Sequence, residues 1–115
     1  MFLIVRLAAV MFALDALSST SLIVLAEDSP KKTVVIESYK FSPSQIRVKK
    51  GAAVTFVNKD AAPHTVSPAN KDDFVGTGRL LKDEKKIVVF DHVGRVNYFC
   101  DFHPSMEGVV VVTEK

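Results

Sequence analysis

The sequence predicts an all-β domain built as a sandwich of two antiparallel sheets, and three observations carry that prediction. Short runs of β-branched and aromatic residues recur with period-two alternation, Gly- and Pro-containing turns separate them, and nothing after Ala26 sustains the periodicity of an amphipathic helix. Six to eight such strands fit into the roughly 89 residues that follow Ala26, a strand density that suits two packed sheets.

Taken in order, the first element is not part of that sandwich. Met1 to Ala26 is mostly apolar, carries one early positive charge at Arg6, and ends Ile23-Val24-Leu25-Ala26 before Glu27. That pattern reads as an export signal cleaved after Ala26, leaving a single domain over residues 27–115 outside the cytoplasm. Asp15 interrupts the apolar run, and an acid at mid-bilayer costs about 2.5–3.5 kcal/mol, which disfavours a retained membrane anchor. A lipid anchor needs a cysteine at the cleavage site, and the only cysteine is Cys100.

The strands follow. Thr33 to Tyr39 is rich in β-branched residues, Ile46 and Val48 alternate with Arg47 and Lys49, and Lys50-Gly51 turns the chain into Val54 to Asn58. Ser67 to Leu81 reads as loop with one short strand, and Lys86 to Phe90 is another apolar run. After the turn at Gly94, Val96, Tyr98 and Cys100 share one face while Asn97 and Phe99 take the other. Val109 to Val112 is continuously apolar, as expected of a strand central in its sheet or buried on both faces.

Composition narrows the function. Fifteen Lys+Arg against thirteen Asp+Glu give a formal charge of +2, too small and too mixed in sign for a nucleic-acid groove or a polybasic membrane patch. Removing the leader takes away Arg6 and Asp15 and leaves that charge unchanged. A domain of this size buries only roughly 60–65% of its unfolded surface, so small exported domains commonly add disulfides or a metal. One cysteine forbids an internal disulfide. A metal that binds only the folded state adds stability by mass action, and the chain holds donors for one.

These donors lie in Cys100-Asp101-Phe102-His103-Pro104-Ser105-Met106, where Cys, His and Met recur at intervals of three. At a strand end, that spacing lets one tight loop turn a thiolate, an imidazole and a thioether inward. Thiolate and thioether are soft and select copper, whereas zinc gains little from a methionine. His64, in Asp60-Ala61-Ala62-Pro63-His64 after the strand ending at Asn58, is the candidate fourth donor. A His2Cys trigonal set with a weak axial Met is the arrangement of electron-transfer copper. A coordinating thiol releases its proton to solvent on binding the metal.

The chain resembles the cupredoxins, or blue copper proteins, and within them the amicyanin-like and plastocyanin-like members. The resemblance rests on Phe41-Ser42-Pro43, Ile46-Arg47-Val48-Lys49-Lys50-Gly51, Val54-Thr55-Phe56-Val57-Asn58, Pro63-His64-Thr65-Val66, and Gly94 followed by Tyr98-Phe99-Cys100. The two-residue gaps from Cys100 to His103 and from His103 to Met106 are similar to the short ligand loop of amicyanins. The resemblance implies a Greek-key β-sandwich, one copper ion held by His64, Cys100 and His103 with Met106 axial, and single-electron transfer by a monomer. It further implies that His103 reaches the surface as the electron port, where transient redox partners dock on an apolar patch; Ala62, Pro63, Phe102 and Pro104 are the candidates.

Two positions depart from the family pattern. Asn commonly follows the first ligand histidine and Ser or Thr the cysteine, and these tie the two ligand loops together; here Thr65 and Asp101 stand there. Thr65 can still donate a hydroxyl to Asp101, and an acid beside the thiolate favours Cu(II), which bears on the potential rather than on the choice of metal. Each donor also has a plainer reading: Cys100 as a small buried hydrophobe, His64 as a loop or core histidine, Met106 as core packing. His92, in the turn Phe90-Asp91-His92-Val93-Gly94, is expected to be solvated, and Lys82, Lys85 and Lys86 to protect a strand edge. A copper carrier using the same ligands is the alternative function. A thiol enzyme lacks an evident oxyanion site, and a copper oxidase would need an open metal position.

Overall fold

The structure is a computed structural model and describes residues 32–114. The leader proposed over residues 1–26 therefore lies outside the described residues. Eight strands occur among them: β1 (Lys32–Glu37), β2 (Lys40–Ser42), β3 (Gln45–Lys49), β4 (Ala52–Asn58), β5 (Ser67–Pro68), β6 (Lys85–Phe90), β7 (Gly94–Phe99) and β8 (Glu107–Thr113). They form two four-stranded sheets, in the orders β2-β1-β4-β6 and β3-β8-β7-β5. No helix among the described residues is long and apolar enough to cross a membrane.

The expected alternation sets the inner faces. Ile46 and Val48 of β3, Val54 and Phe56 of β4, and Val96 and Tyr98 of β7 point into the space between the sheets and are buried, together with Cys100 just past the end of β7. Burying a side chain of this kind contributes about 1.5–3 kcal/mol relative to leaving it in water. β8 is central in its sheet, as its apolar run implies, but its burial alternates: Val110 and Val112 are buried while Val109 and Val111 are only half-buried. β6 is an edge strand, and Lys85 and Lys86 lie exposed on it, whereas Lys82 belongs to the preceding turn.

The sheets are not purely antiparallel, contrary to the sequence expectation. β1 pairs with β4 in parallel, and so does β3 with β8. The cause is local. β2 runs antiparallel to β1, and at Ser42-Pro43-Ser44, where the Ser42–Pro43 bond is cis, the chain passes to the other sheet and continues as β3. A strand that changes sheets through a bend need not reverse direction. The turn at Lys50-Gly51, with Gly51 at φ 87°, then reverses the chain and lays β4 beside β1 in the same sense. It follows that β1, β4 and β7 all end at the same end of the sandwich, and the loops that leave them meet there.

Beneath that end lies Tyr98, 1% exposed, with Phe41 and Phe56 edge-on to its ring at centroid distances of 4.8 and 5.4 Å. Its hydroxyl has no hydrogen-bond partner among the described residues. Burial disfavours the phenolate and raises the Tyr98 pKa well above the ordinary 10.0. Above pH ~10 the unfolded chain releases this proton while the folded chain keeps it, so stability falls as pH rises, by up to about 1.4 kcal/mol per unit. An unpartnered buried hydroxyl costs about 1–3 kcal/mol. Urea unfolding should therefore find Tyr98→Phe more stable than wild type by about 1 kcal/mol at pH 7, with the gap widening above pH ~10; equal midpoints at both pH values would refute this.

Candidate metal centre

Three loops build the site: β1–β2, the segment from β4 to β5, and β7–β8. The second is shaped by Asn58 at the end of β4. Its buried Nδ2 donates to the carbonyls of Ala62 (2.9 Å) and Leu80 (2.8 Å), while its Oδ1 accepts the Asp60 N–H (2.9 Å). The loop is thereby closed just before His64. His64 then pairs with Leu80 through two backbone bonds, of 3.1 and 2.7 Å, so the backbone that carries the imidazole is fixed from both sides.

The third loop shows why an interval of three suits these donors. His103 N–H donates to the Cys100 carbonyl (3.2 Å), Met106 N–H to the His103 carbonyl (2.8 Å), and Cys100 N–H to the Met106 carbonyl (3.1 Å). Residues three apart thus close successive turns, and the last bond joins the two ends of the loop. Cys100 is fully buried and Met106 is 5% exposed, while Asp101, Phe102, Pro104 and Ser105 face solvent.

The structure brings His64, Cys100 and His103 together, with one ligand atom from each lying within 4.8 Å of the others. Cys100 Sγ stands 3.7 Å from His64 Nδ1 and 3.9 Å from His103 Nδ1. Metal–nitrogen bonds of about 2.0–2.1 Å and a metal–thiolate bond of about 2.3 Å, values typical of zinc sites, place S and N about 3.8 Å apart when they meet at 120°. The separations therefore fit three donors around one ion. Their chemistry, a thiolate and two imidazoles beside a buried thioether, is compatible with one copper ion.

The surroundings fix each donor. Asp60 Oδ2 lies 2.8 Å from His64 Nε2; an ionised carboxylate only accepts, so Nε2 carries the proton and Nδ1 keeps its lone pair toward Sγ. Burial raises the Asp60 pKa, but hydrogen bonds from the Tyr39 N–H, from His64 and from the Ser38 N–H outweigh burial and hold it below 3.8. Thr65 N–H points at Cys100 Sγ (3.4 Å). The loop tie expected of Thr65 and Asp101 is present and larger than anticipated. Asp101 Oδ2 accepts the hydroxyls of Thr65 (3.0 Å) and Ser67 (2.6 Å), and the Asp101 N–H donates to Thr65 Oγ1 (2.8 Å).

Of the residues named for an apolar patch, Phe102 is 50% exposed, Pro63 and Pro104 are exposed, and Ala62 is half-buried. His92 is exposed and lies outside the donor group, as its turn implied. The reading of the sequence missed Asn58, Asp60, Ser67 and Tyr39. Asp60 alone left a signal, an acid four residues before a donor histidine. Tyr39 left none, yet its ring lies edge-on to both His64 and His103.

A sandwich with one parallel strand pair in each sheet and a His, Cys, His, Met end defines a class, and comparison with known proteins agrees. A family model described as a cupredoxin-like domain matches residues 4–112, and the chain belongs to that family. It is similar to amicyanin of Paracoccus versutus, with 35% identity over 95 residues that cover 77% of this chain and 71% of that one. It is similar also to amicyanin-alpha of Methylorubrum extorquens, with 37% identity over 83 residues and 69% of each chain covered. Among solved structures, the Cu(I) form of an amicyanin point mutant superposes with a TM-score of 0.67 at 30% identity, over 72% of this chain and 82% of that one.

Proposed function

We propose that this protein carries single electrons between redox partners through one copper ion held by His64, Cys100 and His103, with Met106 as the weak axial donor. The observation that carries the reading is the triangle of Sγ and two Nδ1 atoms at 3.7 and 3.9 Å, assembled from two loops that the protein has already pinned. When bound, copper supplies the one-electron couple between Cu(II) and Cu(I).

The chain's own residues supply the rest. Asp60 holds the His64 tautomer, the Thr65 N–H draws density from the sulfur, and Asp101 with Thr65 and Ser67 keeps the loops in register. Donors fixed in this way rearrange little when charge changes, which suits fast electron transfer. Three close donors and an axial thioether leave no position for a substrate, so the reading is a carrier and not an enzyme. Partners dock on Phe102, Pro63, Pro104 and Ala62 around His103, over an area below about 1,200 Å², as quick release requires. The reading of residues 1–26 as a leader supports work outside the cytoplasm, in the periplasm of a bacterial cell, and our reading is of a monomer there.

Adding Cu(II) to the protein and recording visible and EPR spectra tests the reading. An intense thiolate-to-copper band with narrow hyperfine splitting is expected; a colourless complex would sink it. Fast electron self-exchange without metal loss separates an electron carrier from a copper carrier, which would instead hand Cu(I) to an acceptor. Met106→Leu should keep the colour and raise the reduction potential, since an aliphatic chain offers Cu(II) no axial donor. An unchanged potential in voltammetry would remove Met106 from the donor set.

A further inference from the structure

β1 and β2 are joined by Ser38 and Tyr39, both in the left-handed region at φ 54° and 57°. Two-residue hairpin turns of this kind suit the twist of paired strands, but they usually hold Asn and Gly. Here two residues bearing other side chains are kept there, at a cost in backbone strain. Asp60 is what keeps them: its Oδ1 accepts the Ser38 N–H at 2.7 Å and its Oδ2 the Tyr39 N–H at 2.9 Å. The same Oδ2 accepts the His64 Nε2–H at 2.8 Å. One carboxylate thus ties the strained turn to a donor imidazole.

The turn sets the Tyr39 ring across both imidazoles. It stands edge-on to His64 at 5.1 Å and 85° and to His103 at 4.9 Å and 90°, while the two imidazoles are 5.2 Å apart. Perpendicular pairs at these distances are the favoured arrangement of aromatic rings. Tyr39 is 51% exposed and pairs through its ring with the donors, not with the core aromatics. His103 needs such a stop, because its neighbours Asp101, Phe102, Pro104 and Ser105 face solvent.

We propose that Tyr39 is a positioning residue whose ring, held by the Asp60-clamped turn, keeps the His103 imidazole facing Cys100 Sγ before any metal arrives. The inference rests on His103 being a metal donor, as proposed above. A preformed site spares the binding step the cost of ordering one side chain, a cost that corresponds to about three- to tenfold in metal retention.

Two variants test it. Tyr39→Phe keeps the ring; Tyr39→Asn removes the ring with a residue at home at positive φ, so the turn and its bonds to Asp60 persist. NMR of the metal-free protein, through χ1 couplings and contacts between residue 39 and His103, should show one His103 rotamer in wild type and Tyr39→Phe, and averaging in Tyr39→Asn. Copper release to a chelator should quicken about three- to tenfold in Tyr39→Asn alone. A single His103 rotamer in Tyr39→Asn, or averaging in Tyr39→Phe equal to that in Tyr39→Asn, overturns the proposal. Should wild type form no thiolate–copper band, the proposed function fails, while the metal-free measurement still decides what Tyr39 does.

Discussion

Cys100→Ala is expected to erase the intense visible band and the narrow copper hyperfine pattern while leaving the fold in place. The thiolate is the only donor of the four whose electrons lie high enough to give a strong charge-transfer transition in the visible. Two imidazoles and a thioether that remain can hold Cu(II) only as a pale complex with ordinary hyperfine splitting. The structural cost is modest. Cys100 is fully buried, but deleting one sulfur leaves a smaller cavity than a Leu→Ala change, which costs about 2–5 kcal/mol. The Thr65 N–H, 3.4 Å from Sγ, also loses its partner, and a buried donor left unpaired costs about 1–3 kcal/mol. Thermal unfolding of the metal-free variant should therefore show a cooperative transition at lowered temperature. A visible band that survives the substitution would mean that the colour, and with it the site, belongs elsewhere.

What the sequence made legible at this site is what depends on short range. The alternation of Val96, Tyr98 and Cys100 specified which way the thiol faces, and the intervals from Cys100 to His103 and Met106 proved to be turns closed by backbone hydrogen bonds. Side-chain alternation reports a face and not a neighbour, and for that reason the parallel pairing of β1 with β4 and of β3 with β8 could not be read from it. That pairing follows from the chain leaving one sheet at Ser42-Pro43-Ser44 without reversing, and nothing in Phe41-Ser42-Pro43 taken alone says so. Tyr39 was hidden for a related cause. Its ring acts on donors carried by two other loops, and Asp60, though on the same loop as His64, reaches across to the Ser38-Tyr39 turn; these loops meet only because β1, β4 and β7 end on one side. The half-exposure of Val109 and Val111 has the same origin: an uninterrupted apolar run says nothing of what covers its outer face.

The largest loss of stability is expected from Gly108→Ala, a change that nothing in local backbone preference forbids, since Gly108 is not among the glycines at positive φ. The obstacle is space. In the β7–β8 ladder Gly108 stands opposite Tyr98, and a Cβ there would overlap Tyr98 Cζ, Cε2 and the hydroxyl oxygen. The ring has little room to give, with Phe41 and Phe56 packed edge-on against it. Overpacking a well-filled core costs about 1–3 kcal/mol and more where a rigid ring must move, so a loss of at least about 3 kcal/mol is expected. For a domain of this size each 1 kcal/mol lowers the melting temperature by about 4–8 °C, so calorimetry should record a fall of more than about 12 °C. The position also matters to the site. Tyr98 lies two residues before Cys100 and Gly108 two after Met106, so a ring pushed aside strains both ends of the donor loop, and the visible band of the copper-loaded variant should shift. Tyr98→Phe in the same chain would not rescue it, because the contact with Cζ remains; Tyr98→Leu would restore part of the loss, and the two changes would be non-additive, as expected of residues in contact. A melting temperature within a few degrees of wild type in Gly108→Ala would show that the ring moves freely, and that the aromatic cluster beneath the donor loop does not hold it.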